Sequence, residues 1–396
     1  MNALSLSARA GLLGPSPTLG ITAKANAMKA EGIDVISFAA GEPDFNTPEP
    51  IIHAAIEALE AGFTKYTPSA GIKDLKDVIV AKLHRENGVD VKPEQVIVSC
   101  GAKHSVYNSC QVLVNPGDEV ILIAPYWMTY AEQIKLAGGV PKVIHTTADS
   151  GFVPTYEQLR EAVSERTKAI IVNSPSNPTG AVLPRQTIKE IAQLALRHNF
   201  WIISDEIYER LIYGETHQSL AALSAEVAER TITIGGCSKS YSMTGWRIGF
   251  AAAPPAVAKA MSNFQDQVTS NPTSFAQKGA VAAYKLPTET VEAMRVEFEA
   301  RRDLILEGLR GIPGITVPTP KGAFYAFPDV SAFLHGEFKD DAALGEYLLT
   351  EAKVATIPGN VFEGPGHLRL SYAASREAIV EGVARLKEAL ARIGPA

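Results

Sequence analysis

Cysteine is scarce: the 396-residue chain carries three, Cys100, Cys110 and Cys237. The number is odd, the spacing wide and no CxxC occurs, so neither a disulfide framework nor a zinc site is indicated, and a reducing, cytoplasmic setting fits best. The eight histidines form no HExxH or HxxxH pair, so no metal centre is expected. A membrane-spanning helix needs about 20 consecutive apolar residues, and no run approaches that. The opening stretch, MNALSLSARAGLLGPSPTLG, has a single arginine and is broken by Gly and Pro. It reads as an irregular arm and not as a signal peptide. Excess positive charge is also missing: 37 Lys+Arg against 43 Asp+Glu leave a net charge of −6, which argues against a nucleic-acid partner. Repeats, low-complexity tracts and charged tails are absent as well.

What is present is an ordinary globular composition, 46% hydrophobic and 20% charged, too apolar for disorder. Domains usually run to about 100–200 residues, so two units are expected. Short apolar, β-branched runs recur at Gln95–Val98, Glu119–Ile123, Ala169–Val172, Phe200–Ile203 and Thr231–Ile234. Amphipathic helical stretches lie between most of them, at Lys103–Leu113, Tyr156–Val163 and Gln186–Leu196. Near-continuous apolar strands alternating with helices predict a parallel sheet covered on both faces, an α/β layer. Toward the C-terminus long helical patterns cover about 287–310 and 375–393, with strand-like pieces at Ala323–Phe327 and His367–Ser371. We therefore expect a large domain over residues 48–290 and a smaller α+β domain built from 1–47 and 291–396.

Loops leaving the carboxyl ends of strands build the sites of α/β sheets, so the residues after each run matter. Lys239 follows an apolar strand and the pair Gly235-Gly236; a desolvated amine there would lose its proton readily and serve as a nucleophile. Taken alone, a single such lysine reads first as a surface lysine in a loop. Arg247, eight residues on, offers a planar fork suited to a phosphate, or to a structural ion pair. A nucleotide P-loop is excluded because Ser238, not Gly, precedes the lysine. Asp205 ends a second apolar run, where a carboxylate needs a cation or serves as a helix N-cap; Tyr208 would share its face in a helical turn. Asn173–Gly180 is a turn stiffened by two prolines that leaves Asn177 free to present its amide.

In this order, the motifs resemble the class I/II aminotransferases, fold-type I enzymes dependent on pyridoxal 5′-phosphate (PLP). The resemblance runs from about residue 24 to residue 390 and is strongest toward bacterial aspartate and aspartate/prephenate aminotransferases. Ala40–Phe45, Lys65–Gly71, Asn115–Val120, Pro125–Trp127, Asn177–Gly180, Ser204–Tyr208, Ser238-Lys239, Met243–Gly249, Gly322–Tyr325 and Leu368–Ala373 all match. The resemblance implies a mostly parallel seven-stranded sheet between helices in the large domain. It makes Lys239 the residue bonded to PLP and the base that moves the substrate Cα proton. Asp205 would pair with the ring nitrogen, Tyr208 and Asn177 would bond the ring oxygen, and Trp127 would stack on the ring. Arg247, Ser238 and the helix start at Gly101, Ala102 and Lys103 would take the phosphate. Many relatives carry Ser where this chain has Gly236, so one phosphate hydrogen bond is missing or supplied by water.

Arg369 would clamp the substrate α-carboxylate and Gly41 would approach the substrate through its backbone. Lys103 and Thr18 would meet a side-chain carboxylate. Tyr66 would reach the phosphate of a neighbouring subunit, implying a homodimer with shared sites. The implied reaction passes an amino group from L-aspartate to 2-oxoglutarate in a ping-pong cycle. Prephenate or aromatic/kynurenine transamination and a C–S β-lyase share the same cofactor residues. A non-catalytic PLP sensor would carry an N-terminal helix-turn-helix domain, for which too little chain precedes the first motif.

Overall fold

The computed structural model describes residues 5–396. Its strands, in chain order, are β1 (Ile36–Ser37), β2 (Val96–Ser99), β3 (Glu119–Ala124), β4 (Val140–His145), β5 (Thr167–Asn173) and β6 (Trp201–Asp205). They continue with β7 (Thr231–Gly236), β8 (Gly249–Ala252), β9 (Tyr325–Ala326), β10 (Val354–Ala355), β11 (Ile357–Pro358) and β12 (Leu368–Ser371). Seven of them form one sheet in the order β2-β8-β7-β6-β5-β3-β4. All neighbours are parallel except β8, which runs antiparallel to both β2 and β7.

Alternation within the central strands explains the two covered faces. Val120 and Leu122 of β3, Ile171 of β5 and Ile203 of β6 join one core cluster. Ile121, Ile170, Val172 and Ile202, their neighbours in sequence, join another. Burying each such side chain is worth about 1.5–3 kcal/mol, so a one-residue slip of register would expose both sets at once. Helices 102–113 and 129–136 lie on the first face, and helices 156–162 and 185–198 on the second.

The second layer system holds β11-β12-β9 and the pair β1-β10. Parallel pairing of Ile36 with Val354 and Ser37 with Ala355 ties the N-terminal segment to the C-terminal region. Phe38, Phe298, Phe324, Phe333, Leu370 and Leu390 share its core. The long helices Thr288–Arg310 and Arg376–Ile393 flank it.

Three expectations need correcting. The N-terminal arm is not irregular throughout: Ala8–Leu12 is a 3-10 turn and Pro17–Ala30 an α-helix. Ser16 caps that helix and Pro17 opens it, a start signal hidden among the glycines and prolines before it. Residues after Asp205 form a turn and not a helix, so Tyr208 is placed by a turn and Asp205 is no N-cap. Two strands of the seven-stranded sheet went unanticipated, β4 and β8, as did the two-residue strands β1, β10 and β11: β4 is a largely exposed edge strand, and the Gly-Phe-Ala-Ala sequence of β8 has no β-branched residue. Among the described residues no helix is long and apolar enough to cross a membrane.

Candidate active site

A cavity of about 440 Å³ opens where the carboxyl ends of β5, β6 and β7 meet the N-terminal segment and β12. Asn173 ends β5, Asp205 ends β6, and Lys239 stands three residues beyond β7. All three line the cavity, as do Asn177, Tyr208, Ser238, Arg247, Gly41 and Arg369. Ala102, Lys103, Trp127 and Thr18 also line it, so residues from eight separated stretches of chain converge on one space.

The two central titratable groups are displaced in opposite directions. Burial pushes the Lys239 amine down to about 8, with Arg369 and Arg247 adding to the effect and Glu42 opposing it. Its Nζ donates to the Gly41 carbonyl oxygen at 2.5 Å, which aims the amine into the cavity. Asp205 is 2% exposed, and burial pushes its carboxyl up to about 6. Hydrogen bonds to Asp205 from the Tyr130 hydroxyl (2.7 Å) and the Ile207 N–H (3.2 Å) limit that rise. Such a carboxylate gains most from a cation placed beside it.

Around Arg247 the backbone is pressed close. Gly101, at φ +87°, precedes the helix 102–113, and a Cβ there would lie 2.3 Å from Arg247 Nη2. No side chain caps that helix start, which leaves its first N–H groups without a side-chain partner where Ala102 and Lys103 border the cavity. Arg247 itself sits in left-handed backbone at φ 56° and donates to the carbonyls of Thr244 (2.8 Å) and Cys100 (3.2 Å). Gly236 now has a physical reason: a Cβ there would stand 2.9 Å from Gly249 Cα and 3.0 Å from the Ile248 oxygen. A serine would not fit without moving β8.

Arg369 is a buried cation, 3% exposed. Its Nη1 donates to Asn177 Oδ1 (3.0 Å) and its Nη2 to the Ala39 oxygen (2.8 Å), while Nε has no partner. The rings of Tyr325 and Phe362 lie 4.7 and 5.0 Å from its Cζ. Burial lowers its pKa; among the described residues no carboxylate pairs with it. Tyr208 and Tyr325 share a hydrogen bond of 2.8 Å between their hydroxyls. Trp127 stands edge-on to Tyr130 at 5.3 Å, and Lys103 Nζ lies 4.9 Å from the Trp127 ring centre. Burial lowers the Lys103 pKa, with Arg247 adding to it.

The geometry therefore brings together every expected site residue except one. Gly101 borders the cavity through Arg247, whereas Tyr66 is 92% exposed and lies outside it.

The family model for aminotransferase class I and II matches residues 33–386. The chain belongs to this family. It is 50% identical to an aspartate aminotransferase of Bacillus sp. (strain YM-2), over 96% of this chain and 98% of that one. An aspartate/prephenate aminotransferase of Thermus thermophilus is 43% identical, over 98% and 99% of the two chains. A solved structure of the Thermus thermophilus aspartate aminotransferase with maleate superposes with a TM-score of 0.93 at 42% identity, covering 98% of this chain and all of that one.

Within this aminotransferase scaffold, three contributors escaped sequence reasoning. Tyr130 bonds Asp205, Tyr325 bonds Tyr208, and the Ala39 carbonyl holds Arg369. Tyr325 was visible as part of the Gly322–Tyr325 motif but carried no role there. Tyr130, in the first turn of a helix, reads as a core aromatic, and a backbone carbonyl leaves no signature at all.

Proposed function

We propose that the protein is a PLP-dependent aspartate aminotransferase that passes the amino group of L-aspartate to 2-oxoglutarate. The observation that carries this reading is the convergence of a proton-losing lysine, a buried carboxylate and a buried unpaired arginine on one cavity. The residues fit the cofactor. The uncapped helix start and Arg247 form an anion cradle so close that a Cβ at Gly101 would fill it. Asp205 offers a buried carboxylate for a protonated ring nitrogen.

When bound, PLP supplies the electron sink into which the broken Cα–H bond delivers its pair. Asp205 would hold a proton on the ring nitrogen, and the Tyr130 hydrogen bond keeps that carboxylate oriented. Tyr208 and Asn177 would bond the ring oxygen, and Trp127 would stack on the ring. Arg247, Ser238 and the N–H groups of Ala102 and Lys103 would hold the phosphate. Arg369 would bind the substrate α-carboxylate through its guanidinium fork. Lys239 Nζ, once neutral, would accept the substrate Cα proton and donate that same proton to C4′ of the cofactor, ending neutral again.

Lys103 and Thr18 give the cavity a cation and a hydroxyl for a second carboxylate, which a purely aromatic substrate would leave unpaired. The relative solved with maleate, a four-carbon dicarboxylate, supports that choice. Tyr66, exposed and outside its own cavity, is suited to reach the site of a second subunit in a homodimer. We assign residues 48–290 to the cofactor domain and 1–47 with 291–396 to the small domain. A cytoplasmic location accords with the three free cysteines. A panel of amino donors with 2-oxoglutarate as acceptor tests the reading: aspartate should be turned over fastest, and failure to use aspartate or glutamate would overturn it.

A further inference from the structure

Next to Asp205 lies a polar cluster that does not border the cavity. Glu206, 2% exposed, has all of its acceptor capacity in use. Its Oε1 accepts from Ser204 Oγ (2.8 Å) and Ser219 Oγ (2.9 Å). Its Oε2 accepts from His217 Nε2 (2.8 Å) and Asn87 Nδ2 (3.1 Å). Asn87 extends the chain: its Oδ1 accepts from Lys82 Nζ at 2.7 Å and its Nδ2 donates to Glu209 Oε2 at 2.6 Å. Lys82, 2% exposed, also pairs with Glu209.

The backbone is bent to assemble this group. Asn87 closes a five-residue π-turn, Leu83–Asn87, a rare geometry often found at functional places. His217 and Ser219 come from the loop between Tyr213 and Leu220, and both reach the same carboxylate. Glu86 and Arg210 form an outer ion pair beside Lys82 and Arg85.

Counting charge in the inner group gives Glu206 and Glu209 against Lys82, so neutrality requires a protonated His217. The groups acting on that imidazole are Glu206, Glu209 and Lys82. Burial opposes its charge, but the Glu206 carboxylate outweighs burial and raises its pKa above the ordinary value. Buried charges that do not balance are costly, and their field extends to the next residue. Here the next residue is Asp205, on which Glu206 already acts.

We propose that His217 and Glu206 are positioning residues for Asp205: a neutral His217–Glu206–Asn87–Lys82–Glu209 cluster sets the electrostatic field at the end of β6 and, through Asp205, the proton affinity of the bound cofactor. This rests on the PLP reading above. His217→Gln keeps a hydrogen-bond donor for Glu206 but removes the positive charge, leaving the cluster one unit negative. Glu206→Gln in the same chain restores neutrality.

The test is a pH titration of the visible absorbance of the purified holoenzyme. His217→Gln should raise the midpoint by roughly half to one pH unit, the size of a unit charge acting across a partly shielded interior. The double variant His217→Gln/Glu206→Gln should return to within about 0.2 unit of the parent. A merely structural role predicts the reverse, because two substitutions in one buried network disturb packing more than one. An unchanged or lowered midpoint in His217→Gln, or a double variant displaced further than the single, overturns the proposal. Should the variants fail to fold, histidine nitrogen NMR on the parent holoenzyme decides: His217 should stay doubly protonated at pH 7, and a neutral ring there also overturns it. Failure of the cofactor reading is separate, since the parent would then show no visible band.

Discussion

Replacing Arg369 by methionine should abolish most activity while sparing the fold. The guanidinium is buried without a carboxylate, so the folded protein already bears the cost of dehydrating a cation. What the fold would lose is two hydrogen bonds, to Asn177 Oδ1 and the Ala39 oxygen, worth about 1 kcal/mol each, and contact with two aromatic rings. Relief from burying the charge offsets that loss, and we expect the melting temperature of the apoprotein to move by no more than about 3 °C. The effect on catalysis is of another order. Two charge-assisted bonds to a substrate carboxylate contribute roughly 1.5–3 kcal/mol each, so kcat/KM should fall about a hundred- to ten-thousand-fold. Every amino-acid substrate carries that carboxylate, so aspartate, glutamate and phenylalanine should lose in parallel. Steady-state kinetics with the three donors, alongside a thermal melt, makes the check. Loss confined to aspartate would mean that Arg369 reads the side chain, and a melting temperature that falls in step with activity would mean that it is structural.

Loading the apoprotein with PLP should depend on Lys239 losing its proton. A lysine at about 8 is roughly 9% neutral at pH 7, against about 0.03% at the ordinary 10.5, so the uptake rate should climb near tenfold per pH unit below 8 and level off above it; a rate still climbing tenfold per unit at pH 9.5 would refute the lowered value. Lys103→Ala should cost aspartate and glutamate about tenfold in kcat/KM and leave phenylalanine within twofold, because only dicarboxylates need that cation; equal losses would remove its role in specificity. Mixing Tyr66→Ala with inactive Lys239→Ala subunits should generate dimers with one intact site, and activity no greater than the separate proteins would show that Tyr66 does not cross between subunits.

Strand-end chemistry was legible because it depends on local pattern. Apolar runs ending at Asp205 and just before Lys239 announce parallel strands, and the residue after such a strand is where an α/β sheet offers its chemistry. Arg369 was legible only through the resemblance of the Leu368–Ala373 motif to the family, because a single arginine within a short apolar strand does not by itself announce a substrate anion. Tyr130 and Ala39 were not. The Ala39 carbonyl meets Arg369 across 330 residues of sequence and Tyr130 meets Asp205 across 75, and no periodicity encodes such distances. The strand β8 was hidden for the opposite reason: its small residues are required by the close approach of Gly249 to the start of helix 102–113, where a Cβ would lie 2.2 Å from the Ala102 nitrogen. Packing for the anion cradle overrode strand propensity.

That override links the fold to the chemistry. An antiparallel strand between β2 and β7 brings the Gly101 turn beside Gly249 and so next to Arg247, two residues earlier. The same strand presses on Gly236, which follows Gly235 and precedes the lysine loop. A larger side chain at Gly236 or Gly249 would therefore disturb two things together: the anion cradle and the placement of Lys239. Burial at the carboxyl ends of these inner strands lowers the lysine and raises Asp205, one physical cause with opposite effects on a cation and an anion. The site's acid–base character follows from how tightly these strand ends are packed, and substitutions that loosen β8 against Gly236 should move Lys239 back toward its ordinary value.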